Sequence, residues 1–162
     1  MKNIVLIGIM GCGKTTVSKL LSEKLNMPVI DCDEYLVEKY HQTIVEMFDI
    51  SEEYFRDKET EVCYELSKLD NHIISTGGGV ILKDENIQAL KSNGIIIYLD
   101  RPIDNILTDV ETSTRPLLKD GPDKLYQLHQ IRHPLYMKAC DYHIINDETL
   151  EDVLDEIIKQ LK

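Results

Sequence analysis

Residues 3–15 read Asn-Ile-Val-Leu-Ile-Gly-Ile-Met-Gly-Cys-Gly-Lys-Thr, and this stretch decides the fold. An apolar run of strand length stops at Gly8, and the segment from Gly8 to Thr15 matches the pattern GxxxxGK[ST]. Residues 14–25 then carry apolar side chains at helical spacing. A strand, a glycine-rich turn and a helix in this order cradle phosphate, because the glycines let backbone N–H groups turn inward and the helix adds its positive dipole end. The alternative, a chance glycine-rich turn, does not explain the whole pattern.

The motif assigns roles to its polar residues. Lys14 is placed to reach the β- and γ-phosphates, and the Thr15 hydroxyl is placed to bind Mg²⁺. The nucleotide-binding residues predicted here are Gly11, Cys12, Gly13, Lys14, Thr15 and Thr16. The motif alone does not distinguish a kinase from a GTPase or an ATPase, but the short chain has no NKxD guanine-reading motif.

Strand-like and helix-like patterns alternate along the whole chain. Short apolar runs at residues 3–7, 28–31, 72–75, 95–99 and 142–145 predict five strands, and helical patterns fill the segments between them. Such alternation predicts an α/β fold of three layers, with helices on both faces of a parallel sheet. The length of 162 residues fits a single domain. Ligands of such sheets bind at the carboxyl ends of the strands.

Bulk composition excludes several classes of function. The net charge of −11 and the pI of about 4.8 disfavour a nucleic-acid partner, and no apolar run is long enough to span a membrane. We therefore expect a cytoplasmic protein. The four cysteines form no CxxC pair and are expected to be reduced thiols. Cys12 is either a thiol activated by Lys14 or, more simply, a small residue that fits the loop. None of the five histidines is assigned to metal binding or catalysis.

Two charged pairs follow the second predicted strand. Asp31 and Asp33 lie on one side of an extended stretch, where one could hold a magnesium-bound water while the other accepts a proton from a substrate hydroxyl. The alternative for Asp33 is a helix cap. Arg56 and Glu59 are three residues apart on a predicted helix, where the glutamate would hold the guanidinium ready for a substrate carboxylate. The alternative for this pair is a surface salt bridge.

Three further features point to an acceptor site. Gly77, Gly78 and Gly79 end the third strand, as expected where a ligand lies directly against backbone, although a plain tight turn is the alternative. Arg115, in an irregular loop, is either a solvated side chain or one that swings over the transferring phosphate. Arg132 precedes Pro134, which is expected to distort its helix and aim the arginine at the pocket.

Taken together, these residues resemble the shikimate kinase family. The matching elements span nearly the whole chain: the loop from Gly8 to Thr15, Asp31-x-Asp33, Phe55-Arg56-x-x-Glu59, Thr76-Gly77-Gly78-Gly79, Arg115-Pro116-Leu117-Leu118 and Arg132-x-Pro134-x-Tyr136. The resemblance implies strand order 2-3-1-4-5 and one domain over residues 1–162. Within it, the resemblance places a substrate-binding segment at about 33–61 and a lid at about 109–122. A monomer is the expected state.

The resemblance also implies an activity, the transfer of the γ-phosphate of ATP to the 3-hydroxyl of shikimate on the route to chorismate and the aromatic amino acids. Arg56 and Arg132 would grip the shikimate carboxylate, and the glycines at 77–79 would line its ring. Asp33 would contact the reacting hydroxyl, and Asp31 would orient the Mg²⁺ shell through water. Lys14 and Arg115 would stabilise charge on the transferring group, and residues near 146–147 would approach adenine.

One departure from the family pattern concerns the lid. Family members usually carry a further arginine there that packs on adenine, whereas residues 107–114 contain no basic residue. Two other functions stay open: a related kinase acting on gluconate or a nucleoside monophosphate, and a nucleotide-binding module that no longer catalyses. The paired arginines and the triple glycine favour a small carboxylated polyol as acceptor.

Overall fold

The structure, a computed structural model, describes the backbone of residues 2–111 and 122–162 and the side chains of residues 2–108 and 123–162. Five strands are present in this part of the chain: β1 (Asn3–Ile7), β2 (Val29–Asp31), β3 (Ile73–Ser75), β4 (Gly94–Asp100) and β5 (Tyr142–Ile145). The helices are α1 (Lys14–Leu25), α2 (Cys32–Tyr40), α3 (Ile44–Ile50), α4 (Glu52–Leu66), α5 (Asp84–Ser92), α6 (Ile103–Glu111), α7 (Pro122–Ala139) and α8 (Leu150–Leu161). A short 3₁₀ turn, Val80–Leu82, follows the triple glycine.

The sheet is parallel throughout, with strand order β2-β3-β1-β4-β5. The central strand β1 is buried along its whole length, and β4 is nearly so, because helices cover both faces of the sheet. The predicted three-layer α/β fold, five strands and strand order are therefore confirmed.

The segment expected to be helical over residues 34–68 divides into three helices. Thr43 starts α3 with a capping box, in which its hydroxyl accepts from the Glu46 N–H and the Glu46 carboxylate accepts from the Thr43 N–H. Ser51 caps α4 by accepting from the Tyr54 N–H at 2.9 Å. The breaks at Thr43 and Ser51 turn the chain twice, so that α4 packs on α3 and α2.

The carboxyl ends of all five strands lie along one edge of the sheet. Their last residues are Ile7, Asp31, Ser75, Asp100 and Ile145. Three of the motifs singled out in the sequence, the phosphate loop, Asp31-x-Asp33 and the triple glycine, lie at the ends of β1, β2 and β3, so parallel pairing brings them together.

Helix α7 continues past Pro134, which lies inside it. No helix among the residues that the structure describes has the length and apolar character to cross a bilayer.

Candidate active site

The phosphate loop has the backbone conformation that its glycines predict. Gly8, Gly11 and Gly13 have φ values of 152°, 82° and 105°. Gly8 is further constrained by close packing, since a Cβ there would lie 2.5 Å from the carbonyl oxygen of Leu99. Helix α1 begins immediately after Gly13, so its amino end points into the loop.

Lys14 lies within the curl of this loop. Its ammonium donates to the Gly8 carbonyl and, at 3.3 Å, to the Ile9 carbonyl. Cys12 is fully buried, and a Cβ at Gly8 would lie 2.6 Å from its Sγ. The Lys14 ammonium lies 3.7 Å from the same Sγ, so Cys12 both packs under the loop and contacts the lysine.

Two residues from neighbouring strand ends brace the loop. Asn146, after β5, donates from Nδ2 to the Cys12 carbonyl at 2.8 Å, and Arg101, after β4, donates from Nη1 to the Gly11 carbonyl at 3.0 Å. Arg101 was not predicted as a site residue. Its position directly after an apolar strand, at the ligand-binding edge of the sheet, was the signal available in the sequence.

Asp31 and Asp33 occupy different structural positions. The sequence predicted an extended stretch through both, but α2 already begins at Cys32. Asp31 is the cap of α2, where its Oδ1 accepts from the Glu34 N–H at 3.0 Å. Asp31, and not Asp33, is therefore the cap of α2. Asp33 lies in the first turn of this helix, and its carboxylate faces the site.

Burial raises the pKa of Asp33 above its ordinary value. The negative charge of Asp31 raises that pKa further, while the positive charges of Lys14 and Arg56 oppose the rise. A carboxylate with raised proton affinity, held beside a lysine and an arginine, suits proton acceptance from a substrate hydroxyl.

Arg56 and Glu59 form a buried ion pair on α4. Nη1 of Arg56 donates to Oε1 of Glu59 at 2.9 Å, and the two side chains are only 12% and 4% exposed. The alternative of a surface salt bridge is therefore wrong. The Arg56 guanidinium lies 5.0 Å from the ring centroid of Phe55 and 5.9 Å from that of Phe48, and these rings stack on each other.

The Arg56–Glu59 ion pair does not use all the hydrogen-bond donors of the arginine. Burial raises the pKa of Glu59, and the adjacent Arg56 lowers it. Nε of Arg56 is buried and has no hydrogen-bond partner among the described residues. A desolvated guanidinium with unused donor capacity suits an anionic ligand.

The side chains of Asp33, Arg132 and Arg56 converge on the triple glycine. A Cβ at Gly77 would lie 3.1 Å from Oδ1 of Asp33, one at Gly78 would lie 3.2 Å from Nη1 of Arg132, and one at Gly79 would lie 2.4 Å from Nη1 of Arg56. The segment is thus more than a plain tight turn.

Tyr136 anchors the triple glycine from α7. Its hydroxyl donates to the Gly78 carbonyl at 2.5 Å, and its side chain is fully buried. Because Tyr136 is one helical turn beyond Arg132, this bond also fixes the part of α7 that carries the arginine.

Two polar cavities adjoin this cluster. The first, of about 310 Å³, is lined by the phosphate loop, Asp31, Asp33, residues 75–78 and Arg101. The second, of about 260 Å³, is lined by Gly13, Thr16, Arg101, Asn105, Asn146, Asp147, Glu148 and Leu150. Gly13, Thr16 and Arg101 border both cavities, which therefore form one continuous groove along the sheet edge.

The described residues thus bring together the loop at 11–16, Asp31, Asp33, Arg56, the glycines at 77–79 and Arg132. Arg115 and the predicted lid core lie outside the described residues.

The four cysteines are free thiols, and burial raises the pKa of Cys32 and Cys63, which keeps both protonated at neutral pH.

A parallel sheet of this order, with a phosphate loop at one end of a polar groove and a carboxylate between a lysine and an arginine, defines a P-loop phosphotransferase. The family model described as "SKI: Shikimate kinase" matches residues 10–162. The chain belongs to the shikimate kinase family.

Individual relatives agree with this assignment. A protein named shikimate kinase from Clostridium botulinum (strain Alaska E43 / Type E3) is 46% identical over 160 residues, covering 98% of this chain and 97% of the relative. One of the same name from Caldicellulosiruptor bescii is 47% identical over 152 residues, covering 91% and 87%.

Among solved structures, the shikimate kinase from Acinetobacter baumannii in complex with shikimate superimposes with a TM-score of 0.90 at 35% identity, covering 99% of this chain and 93% of that one. The enzyme from Bacteroides thetaiotaomicron superimposes with a TM-score of 0.91 at 30% identity, covering 99% and 98%.

Proposed function

We propose that this chain transfers the γ-phosphate of ATP to the 3-hydroxyl of shikimate, giving shikimate 3-phosphate and ADP on the route to chorismate and the aromatic amino acids. The observation that carries the proposal is the contact of Asp33, Arg132 and Arg56 with three consecutive glycines, next to the phosphate loop. A proton acceptor and two guanidinium groups on one stretch of open backbone suit a small acceptor with one hydroxyl to activate and one carboxylate to bind.

The nucleotide would lie along the groove. Its β- and γ-phosphates fit the first cavity, where loop N–H groups and Lys14 supply positive charge. The second cavity, beyond Gly13 and Thr16, would take the adenosine, with Asn146, Asp147 and Arg101 around it. Arg101 thus supplies a positive charge on the sheet side of a site whose predicted lid lacks the family's further arginine.

Magnesium fits the oxygen donors present at the first cavity. The exposed Thr15 hydroxyl and the Asp31 carboxylate both line it, and hydroxyl, carboxylate and water are the ligands that Mg²⁺ prefers. When bound there, Mg²⁺ would neutralise charge on the β- and γ-phosphate oxygens. Thr15 would hold it directly, and Asp31 would hold it through water.

In the acceptor site, Arg56 and Arg132 would bind the shikimate carboxylate. Glu59 keeps Arg56 in place, and Gly78 and Gly79 let the ring approach the backbone. Asp33 would accept the proton of the shikimate 3-hydroxyl while the hydroxyl oxygen bonds to the γ-phosphorus of ATP. The bond from that phosphorus to the β–γ bridging oxygen breaks, and ADP leaves with those electrons.

The arrangement of segments is part of the proposal. We assign residues 1–162 to one domain, about 33–61 to acceptor binding and about 109–122 to a lid, where Arg115 would stabilise charge on the transferring phosphoryl group. We further propose that the enzyme acts as a cytoplasmic monomer with ATP and shikimate as its partners, without a nucleic-acid or membrane partner.

The test is ADP release with MgATP and a panel of acceptors: shikimate, gluconate, AMP and GMP. The proposal expects turnover with shikimate alone. Turnover with gluconate but not shikimate would reject the assignment of the acceptor. Binding of MgATP without turnover of any acceptor would show a nucleotide-binding module instead of a kinase.

A further inference from the structure

Three histidines surround a single carboxylate on the side of α7 next to the acceptor site. Asp100 ends β4, His143 lies on the adjacent strand β5, and His129 and His133 lie on α7. Nε2 of His143 is 2.8 Å from Oδ2 of Asp100, Nε2 of His129 is 3.7 Å from Oδ1, and Nδ1 of His133 is 3.9 Å from Oδ2.

The spacing of His129 and His133 was visible in the sequence. The two residues are four positions apart on one helix, which places their imidazoles on the same face, and the rings stack with centroids 5.0 Å apart. Neither histidine was assigned to metal binding or catalysis from the sequence, and this spacing was therefore given too little weight. What the sequence did not show is that Asp100 and His143, from two strand ends, lie opposite this face.

The separations suit metal ligands better than a finished hydrogen-bond network. Of these three histidines, His143 alone is within hydrogen-bonding distance of the carboxylate, whereas His129 and His133 stand too far from it to bond. One ligand atom from each of Asp100, His129 and His133 lies within 4.8 Å of the others. Nitrogen and oxygen ligands about 2.0–2.2 Å from a tetrahedral zinc ion stand roughly 3.4 Å apart, so small side-chain rotations would close the site.

We propose that Asp100, His129 and His133 form a site for a divalent transition-metal ion of the zinc class. Two imidazoles and one carboxylate are the ligand set of open zinc sites, in which water completes the coordination. The side chains of the three residues are 19%, 28% and 36% exposed, so an ion and its water can enter from solvent.

Neighbouring groups orient the ligands. His143 holds Oδ2 of Asp100 through its 2.8 Å contact, which leaves Oδ1 for a metal ion. The Tyr98 hydroxyl lies 2.8 Å from Nδ1 of His133, which fixes this ring and leaves its Nε2 for the ion. Such outer contacts fix the rings and carboxylates of metal sites. Tyr98 is itself held in place, since its buried ring packs against those of His143 and Tyr136.

This site is distinct from the proposed magnesium site. The phosphate cavity offers oxygen ligands for a hard cation, whereas imidazole nitrogen favours zinc, nickel, cobalt or copper. A bound ion would link α7 to the end of β4, and α7 also carries Arg132. The proposal does not depend on the identity of the acceptor.

The experiment titrates metal-free protein with Zn²⁺ in competition with a chromophoric chelator. The test variant is His129→Gln/His133→Gln, and the matched control is His41→Gln/His72→Gln, which removes two histidines elsewhere in the chain. We expect one ion per chain in the wild type and in the control. In the test variant we expect affinity at least ~10-fold weaker, because the loss of an outer contact alone costs that much at metal sites.

Two further variants keep the test decisive. Asp100→Asn preserves the shape of the carboxylate but removes its charge, and should also weaken Zn²⁺ binding. Cys140→Ala checks the half-buried thiol after α7 and should leave binding unchanged. The melting temperature should rise with Zn²⁺ in the wild type and the control but not in the test variant, whose retained fold is checked by circular dichroism. Equal Zn²⁺ affinity in the test variant and the wild type, or loss of binding in Cys140→Ala alone, would overturn the proposal.

Discussion

The guanidinium of Arg56 lies directly on the backbone of Gly79, so closely that a Cβ on that glycine would stand 2.4 Å from Nη1 and 2.5 Å from Nη2. The backbone of Gly79, with φ −97° and ψ 10°, is open to any residue. Close approach of the arginine, and not backbone strain, is therefore what requires glycine here.

Gly79→Ala tests this contact. The added methyl group would push the Arg56 guanidinium away from its position without straining the backbone. We expect the KM for shikimate to rise by about 10-fold, the equivalent of ~1.4 kcal/mol of lost binding. The KM for ATP should stay within about twofold, because the three atoms nearest to the added methyl group all belong to Arg56 and none to the phosphate loop. Steady-state kinetics with each substrate varied in turn measures both, and a change confined to the ATP KM would contradict the account.

Glu59→Gln tests the buried ion pair. It leaves Arg56 charged, largely desolvated and without its carboxylate, so the free energy of unfolding should fall by roughly 3–5 kcal/mol. The control is Asp57→Asn on the same helix, which breaks the exposed contact to Lys83 and should cost under about 1 kcal/mol. Urea denaturation measures both variants. An equal loss of unfolding free energy in Glu59→Gln and Asp57→Asn would show that the Arg56–Glu59 pair behaves as a surface pair.

Asp31→Asn tests the electrostatic control of Asp33. A base must be deprotonated to act, so the rate should fall as the pH drops through the pKa of Asp33, which burial and Asp31 hold above its ordinary value. Removing the charge of Asp31 lowers that pKa, so the acid limb of kcat/KM should move to lower pH. Asparagine is itself a good helix cap, which preserves α2. An acid limb that stays in place or moves upward would exclude Asp33 as the titrating base.

Arg101→Ala tests the brace on the sheet side of the nucleotide groove. The variant loses the hydrogen bond to the Gly11 carbonyl and a positive charge between the two cavities. We expect the KM for ATP to rise by at least ~10-fold, in line with a charge-assisted bond, while the KM for shikimate changes little. Arg101→Lys keeps the charge without the guanidinium geometry, so its KM for ATP should lie between those of the wild type and Arg101→Ala. An unchanged ATP KM in the alanine variant would remove Arg101 from nucleotide binding.

The fold was predictable because its signals are local. Apolar runs ended by glycine or aspartate mark the strands, and the spacing from Gly8 to Thr15 marks the phosphate loop. The division of residues 34–68 was missed, although Thr43 followed three residues later by Glu46 is the sequence pattern of a capping box.

Much of the site depends on packing between distant segments, which spacing cannot report. An arginine and a glutamate three residues apart look the same on a surface as in a core, so the burial of Arg56 and Glu59 had to come from the structure. The same holds for the bond of Arg101 to Gly11 and for the meeting of α7 histidines with Asp100. Asp31 and Asp33 differ because α2 begins between them, at Cys32, two residues earlier than an extended stretch through Asp33 would allow.

The central claim is that two guanidinium groups, held against the triple glycine, bind the carboxylate of the acceptor. The most direct measurement compares ADP release with shikimate and with its methyl ester, which keeps the ring and all three hydroxyls but has no negative charge. We expect kcat/KM for the ester to be lower by about 10²- to 10³-fold, since the loss of charged hydrogen bonds leaves buried donors unpaired. Equal rates with the acid and the ester would contradict the account.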